Sequence, residues 1–316
     1  MPELFSAYRF IDLDDLPMMR ERLRSWARTL GLKGTVLLAP EGINFSLGGT
    51  PESIDQWLEW LAEQYGVNDP VSHRSTVDPV PFLRLKVRIR PEIITFEPEL
   101  RPGQAAVGRS LSPREWQELL DQEQVQLVDT RNQYEVEIGT FRDAINPGID
   151  HFTEFRDWSL EHLDPDRPVA MFCTGGVRCE KASAWLLAHG HRQVYQLHGG
   201  ILAYLDAIDP EKSRWQGECF VFDDRVSVDH ALRPTSRPVC AGCRRPAEGL
   251  EDNGMPPVDK QGQCRICDEI FDSARWSGIR ERVRQIALAR GRGDHHLGPQ
   301  SQRDHNGFSE LTKERT

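Results

Sequence analysis

The stretch Met171-Phe-Cys-Thr-Gly-Gly-Val-Arg-Cys-Glu-Lys181 limits the folds open to this chain more than any other segment. Residues 168–172 form a short apolar run with the character of a buried strand, and 179–189 carry Ala182, Trp185, Leu186 and Ala188 at helical spacing. Between them, Cys173, Thr174, Gly175, Gly176, Val177 and Arg178 include two glycines and, apart from the arginine, no large side chain. A strand, a glycine loop and a helix in that order gather backbone N–H groups and the positive end of a helix dipole around Cys173. Both favour thiolate over thiol, which predicts a lowered pKa and a nucleophilic sulfur.

The surroundings of this loop alternate between strand and helix. Ser112-Pro-Arg-Glu115 is a capping box, 125–128 a buried strand ending at Asp129, 152–162 a helix, and 193–197 a strand followed by Gly199-Gly200 and a helix to about 208. Such alternation predicts an α/β domain over 111–212, with a largely parallel sheet, helices on both faces and the ligand at the carboxyl ends of the strands. Residues 1–97 read differently: strand 4–11, helix 16–30, strands 34–39 and 43–47 joined by Pro40-Glu-Gly42, a helix from Thr50-Pro51 to 65, and a last strand over 82–89. That order predicts a ferredoxin-like α+β sandwich with helices on one sheet face and the other face open. Residues 98–110, with Pro98, Pro102 and Gly103, read as a linker. Residues 213–289 form a small Cys-rich region, and the polar, glycine-rich 290–316 is expected to be disordered.

A net charge of −10 gives no whole-molecule attraction to nucleic acid, so any anionic partner must meet a local basic patch. One is present. Along the last strand of the first domain, Leu83, Leu85, Val87 and Ile89 alternate with Arg84, Lys86, Arg88 and Arg90. Alternation sends the aliphatic set beneath the helices and lines the opposite face with four cations over about 20 Å, either as an ordinary solvated face or as a track for several phosphates. The seven cysteines include two close pairs, Cys240/Cys243 and Cys264/Cys267. Their spacing suits a four-thiolate structural zinc site, or a set of reduced thiols, better than a disulfide framework, and points to a reducing cytoplasm. No run approaches a membrane span in length, and the first residues lack a secretion signal.

Residues 112–208 resemble a rhodanese domain. Val128-Asp-Thr-Arg131, Gly139-Thr-Phe-Arg-Asp-Ala-Ile-Asn-Pro147, the six-residue loop 173–178 and Gly199-Gly200 carry the likeness. Together with an acylphosphatase-like N-terminal domain, the stretch Ala39-Pro-Glu-Gly-Ile-Asn44, the loop through Ala182 and a C-terminal cysteine region, the chain resembles the bacterial tRNA uridine hydroxylases. These convert the wobble uridine of certain tRNAs to 5-hydroxyuridine with molecular oxygen. The resemblance implies Cys173 as the reactive atom, able to carry a persulfide, with Arg178 supplying fixed positive charge and Thr174, Gly175, Gly176 and Val177 forming the cradle. It also implies a tRNA anticodon stem-loop as partner, held by the Arg84/Lys86/Arg88/Arg90 strip.

Other residues keep more than one reading. Asp129 and Arg131 stand where they can brace the loop, supporting the fold rather than the chemistry. Cys179 either packs or resolves an oxidised Cys173. Glu180 and Lys181 read as a solvated pair or as RNA contacts. Four residues separate Cys173 from Arg178, where cysteine phosphatases typically place five, which argues against phosphomonoester chemistry. No dinucleotide Gly-x-Gly-x-x-Gly, facial-triad spacing or haem-type Cys-x-x-Cys-His occurs, so no flavin, NAD or haem is expected. A sulfurtransferase serving a small acceptor and a non-catalytic rhodanese-fold binding module are the alternatives.

Overall fold

The structure is a computed structural model that describes residues 1–122, 124–235 and 237, together with 277, 278, 281, 284, 285 and 288. Residues 1–236 form one compact unit and 237–316 a second. The described residues of the second unit from 277 onward are helical. Cys240, Cys243, Cys264 and Cys267, and the 290–316 tail, lie outside the described residues.

The first domain is a five-stranded sheet of β1 (Glu3–Phe10), β2 (Lys33–Ala39), β3 (Gly42–Gly49), β4 (Val71–Thr76) and β5 (Leu85–Ile89), in the order β4-β1-β3-β2-β5. Helices α1 (Leu16–Thr29) and α2 (Pro51–Tyr65) cover one face. Thr50 caps α2 by accepting from Ser53 N at 3.2 Å, and Gly66 closes it at φ 66°. Leu23, Ala27, Val36, Phe45 and Trp57 make the core between helices and sheet.

Two expectations need correction. The fourth strand of the sandwich is Val71–Thr76, paired antiparallel to β1. Its only apolar residue is Val71, and as an edge strand it needs no alternating apolar face, so its pattern carries no strand signal. The basic strand begins at Leu85 rather than 82 and adds a fifth strand parallel to β2. Val87 is buried under the helices, while Arg88 stands exposed on the other side. Arg84 and Arg90 flank the strand but keep its register, since Arg84 O accepts from Gly34 N at 3.2 Å and Arg90 N donates to Leu38 O at 2.7 Å.

The second face of this sheet is not open. Tyr8, Phe10, Ala39 and Ile93 form a small core on that side with Val177 of the next domain packed against it. That domain is a four-stranded parallel sheet of β6 (Arg109–Leu111), β7 (Gln126–Asp129), β9 (Val169–Phe172) and β10 (Val194–Leu197), in the order β6-β10-β9-β7. A second core, with Trp116, Phe172 and Tyr204, lies on one face under α3 (Pro113–Gln122) and α7 (Gly200–Ala207). A third, with Met171, Phe155 and Leu186, lies on the other face under α5 (Phe155–His162) and α6 (Val177–Ala188). The Ser112/Glu115 capping box forms as expected, with Ser112 N donating to Glu115 Oε2 at 2.9 Å and Glu115 N to Ser112 Oγ at 3.4 Å.

Short elements complete the unit. Helix α4 (Gln133–Val136) follows β7, and β8 (Gly139–Phe141) pairs with β11 (Trp215–Gly217). A small hairpin, β12 (Cys219–Phe220) with β13 (Ser227–Val228), comes last. The 98–110 segment is not a loose tether, since Leu100 packs against the third core and Gly108 N donates to Ser183 Oγ at 2.9 Å. Phe96 is buried in the second domain's core and stacks on Phe152 at 4.4 Å. No described helix is long and apolar enough to cross a membrane.

Candidate active site

Strand β9 is central in its sheet and almost wholly apolar, so it ends abruptly where Cys173 begins the loop. Helix α6 starts at Val177, two residues earlier than its apolar spacing indicates. Gly176 at φ 101° is its N-cap. The helix N-terminus therefore meets the sulfur directly: Gly176 N donates to Cys173 Sγ at 3.1 Å. Gly199-Gly200 secures the loop from the other side. Ile201 N donates to Cys173 O at 2.9 Å and Leu202 N to Thr174 O at 3.2 Å. A Cβ on Gly200 would lie 2.4 Å from Cys173 O, and φ there is +66°, so only glycine fits.

Cys173 is 1% exposed. Burial alone raises a thiol pKa, but the Cys179 hydrogen bond, the Arg178 charge and the amides of Arg178 and Gly176 outweigh it and bring Cys173 down to about 6. Burial, then the hydrogen bond and charge of Cys173, drive Cys179 the opposite way, well above the ordinary thiol range. Cys179 Sγ lies 3.7 Å from Thr130 Oγ1. Burial opposes the charge of Arg178 as well, yet Glu135 and the Cys173 sulfur keep it protonated.

Glu135 carries no sequence signal of its own. It sits in α4, is fully buried and binds Arg178 at 2.9 Å, while Thr174 Oγ1 reaches its Oε1 at 3.5 Å. Its only trace in the chain is its position shortly after the Asp129-Thr-Arg131 motif, as the residue that completes a capping box with Asn132. Asp129 and Arg131 form a separate buried pair. Arg131 Nη2 donates to Asp129 Oδ2 and to Gly139 O, both at 2.6 Å. They tie the end of β7 to β8 and do not touch the sulfur. Thr130 between them makes the link to the loop, since its N and Oγ1 both donate to Phe172 O, at 3.1 and 3.0 Å.

Glu180 and Lys181 differ from a solvated pair. Tyr8 of the first domain donates to Glu180 Oε1 at 2.8 Å. Lys181 is fully buried and bridges Glu41 at 2.7 Å and Glu92 at 2.5 Å. Glu41 belongs to the Ala39–Asn44 stretch, so that motif and the start of α6 are two halves of one seam.

A cavity of about 370 Å³ opens at this seam. Cys173, Gly175 and Arg178 form its floor, Ser6, Thr35, Asn44 and Ser46 of the first sheet form the facing wall, and Phe222 and Arg225 form a third side. Thr35 and Leu37 line the cavity and pair in register with Lys86 and Arg88. Partners in adjacent strands share a face, so this part of the basic strip stands on the cavity's side of the sheet, at its edge. Among the described residues, no group of three or more His, Cys, Asp or Glu side chains is placed to hold a metal.

Each of the two domains is similar to a known family of domains. The model of the UPF0176 acylphosphatase-like domain matches residues 3–93, and that of the rhodanese-like domain matches 112–207. The pairing is consistent with the UPF0176 family. Among solved structures, a rhodanese-like domain protein from Staphylococcus aureus is 26% identical, covering 30% of this chain and 90% of its own, with a TM-score of 0.27. A rhodanese-related protein from Thermoplasma volcanium is 24% identical over 32% of this chain and 95% of its own, with a TM-score of 0.28. An acylphosphatase from Coxiella burnetii is 19% identical over 27% of this chain and 90% of its own, with a TM-score of 0.21.

Proposed function

We propose that this protein is an oxygen-dependent tRNA hydroxylase that converts a wobble uridine to 5-hydroxyuridine, with Cys173 as the attacking thiolate. A rhodanese-like domain supports a sulfurtransferase-like or rhodanese-fold role in general. What favours the narrower reading is the cavity. Its volume of about 370 Å³ falls in the range of about 300–1,000 Å³ for small-ligand pockets, and it is enclosed by a second domain that a small sulfur acceptor does not require.

The chemistry uses the chain's own residues. The Cys173 sulfur adds to C6 of the uracil ring, which makes C5 carbanion-like and able to react with oxygen. Arg178 and the amides of the loop stabilise negative charge near the sulfur. The overall change takes C5–H, O2, two electrons and two protons to C5–OH and water, and a two-electron reductant of the thiol class supplies the electrons. Expulsion of the sulfur restores the ring. A wobble base lies in a single-stranded loop, so it can be splayed into the cavity without opening a duplex. Arg84, Lys86, Arg88 and Arg90 would hold the neighbouring phosphates.

The second reading, sulfur transfer through a Cys173 persulfide, draws on the rhodanese-like match itself. Mass spectrometry of anticodon-loop digests from cells with and without the gene separates the two. A gain of one oxygen on the wobble uridine only when the gene is present supports hydroxylation. Identical digests, together with strong thiosulfate-to-cyanide sulfur transfer by the purified protein, support the second reading.

A further inference from the structure

The third side of the cavity comes from neither matched domain. Residues 221–226 connect β12 to β13 and lie beyond the rhodanese-like match, which ends at 207. This connection is well braced. Val221 N donates to Val226 O at 2.9 Å, and Asp224 N reaches back to Pro81 O of the first domain at 3.2 Å. Arg225 binds Asp223 through two parallel bonds of 2.9 and 2.7 Å. What the brace presents is Phe222, an aromatic side chain that is 63% exposed at the edge of the cavity holding Cys173. Phe220 supports it edge-on at 5.1 Å, and the Arg178 guanidinium lies 5.6 Å from its ring centre. A braced loop thus places a large, partly open aromatic ring in the lining of the cavity that also holds Cys173.

The charges around the cavity narrow what such a ring can meet. Arg178 is paired with Glu135, and Arg225 with Asp223. His73, also in the lining, is held toward its neutral form by burial. The facing sheet offers hydroxyls and an amide, from Ser6, Thr35, Asn44 and Ser46. A lining of compensated charges and uncharged donors and acceptors suits a neutral planar heterocycle better than a small dianion. One donor is still free: among the described residues, none accepts a hydrogen bond from the buried Arg178 Nη1.

We propose that Phe222 is the stacking platform that seats a neutral pyrimidine ring beside Cys173, with Asn44 and Ser46 on the facing sheet reading the ring's edge and Arg178 Nη1 meeting one of its carbonyl oxygens. This assignment rests on the nucleobase reading of the site and adds the residues that recognise the base. Stacking on an aromatic side chain tolerates any aromatic but not an aliphatic of similar bulk.

The test has two parts, both on the full-length chain. First, hydroxylation of an anticodon stem-loop RNA is measured for Phe222→Ala, Phe222→Leu, Phe222→Tyr and Phe222→Trp. Alkylation of Cys173 by iodoacetamide serves as a check that the loop is intact. Loss of a base–aromatic stack weakens binding by roughly 5- to 150-fold, so Ala and Leu should raise KM by about that factor, with kcat less affected, while Tyr and Trp stay near wild type and alkylation is unchanged in all four. A Leu variant with wild-type KM overturns the proposal. Second, the same RNA carrying 5-bromouridine at the wobble position is photo-crosslinked to Cys173→Ser protein. A crosslink on the peptide containing Phe222 supports stacking, and bound RNA crosslinked only elsewhere overturns it. If wild-type protein leaves the uridine unmodified, the functional reading fails on its own, and the crosslink still decides whether a pyrimidine stacks on Phe222.

Discussion

The Cys173 thiol is shifted toward thiolate because several modest local effects together exceed the penalty of burying a charge. With a pKa of about 6 against an ordinary 9.0, roughly nine-tenths of the sulfur is thiolate near neutral pH, where an ordinary thiol would be about one-hundredth ionised. The alkylation rate of Cys173 should therefore rise with pH around a midpoint of about 6 and level off above about pH 7. Because the thiolate is the folded-state form, the stabilisation it brings is present at high pH and is lost as pH falls through about 6. Cys179→Ala removes the hydrogen bond that lowers the pKa, and should move that alkylation midpoint upward and slow the reaction several-fold near pH 6. A variant with an unshifted midpoint would mean that Cys179 only packs. The cysteine and its arginine are readable in the sequence because the loop is contiguous. Glu135 is not, because its importance comes from a contact across 43 positions, made where an isolated, fully buried glutamate closes on Arg178. Breaking a buried pair costs about 3–5 kcal/mol, so Glu135→Ala should lower the urea midpoint by a corresponding amount.

The loop keeps its shape through the elements that hold it rather than through its own bonds alone. Strand β9, helix α6 and the Gly200 end of helix α7 converge on six residues. Adding one methyl at Gly200 would drive a Cβ into Cys173 O at 2.4 Å and Thr174 O at 2.6 Å. Gly200→Ala should therefore abolish turnover and slow alkylation at Cys173, while Gly175→Ala, where nothing lies within 4 Å, should leave the alkylation rate near wild type. Equal alkylation rates in both variants would contradict this account of the loop. Elements with strong periodicity, such as α2 and β9, could be placed from their residues because propensity and burial agree there. Val71–Thr76 could not, since a solvent-facing edge strand obeys neither rule. The start of α6 was hidden for a related reason: Val177 packs on the first domain's Tyr8–Ile93 core and Arg178 on Glu135, not on the core of its own domain on which helical spacing is judged.

The two domains act as one unit through a buried seam, and this is where a reading limited to each domain falls short. The N-terminal sheet was expected to present an open face, but that face is the wall of the cavity, closed by Tyr8 on Glu180 and by Lys181 between Glu41 and Glu92. Removing the lysine leaves two buried carboxylates without a counter-charge, so Lys181→Ala should cost about 3–5 kcal/mol, or about 10 °C in Tm, and the triple change Lys181→Met, Glu41→Gln, Glu92→Gln should regain part of it. In the proposed reaction the RNA phosphates meet the cavity's edge at Lys86 and Arg88, which share the cavity's side of the sheet. Binding of tRNA should weaken steeply with salt, and neutralising Arg84, Arg88 and Arg90 should flatten that dependence, each lost phosphate contact reducing the slope by about 0.7–0.9. The most direct test of the whole proposal is a reconstituted reaction with purified tRNA, oxygen and a thiol reductant, read by mass spectrometry of the wobble nucleoside. Wild-type protein is expected to add one oxygen to that uridine, and Cys173→Ser, folded with the same Tm, to add none. An active serine variant, or a wild-type protein that leaves the uridine unchanged, would contradict it.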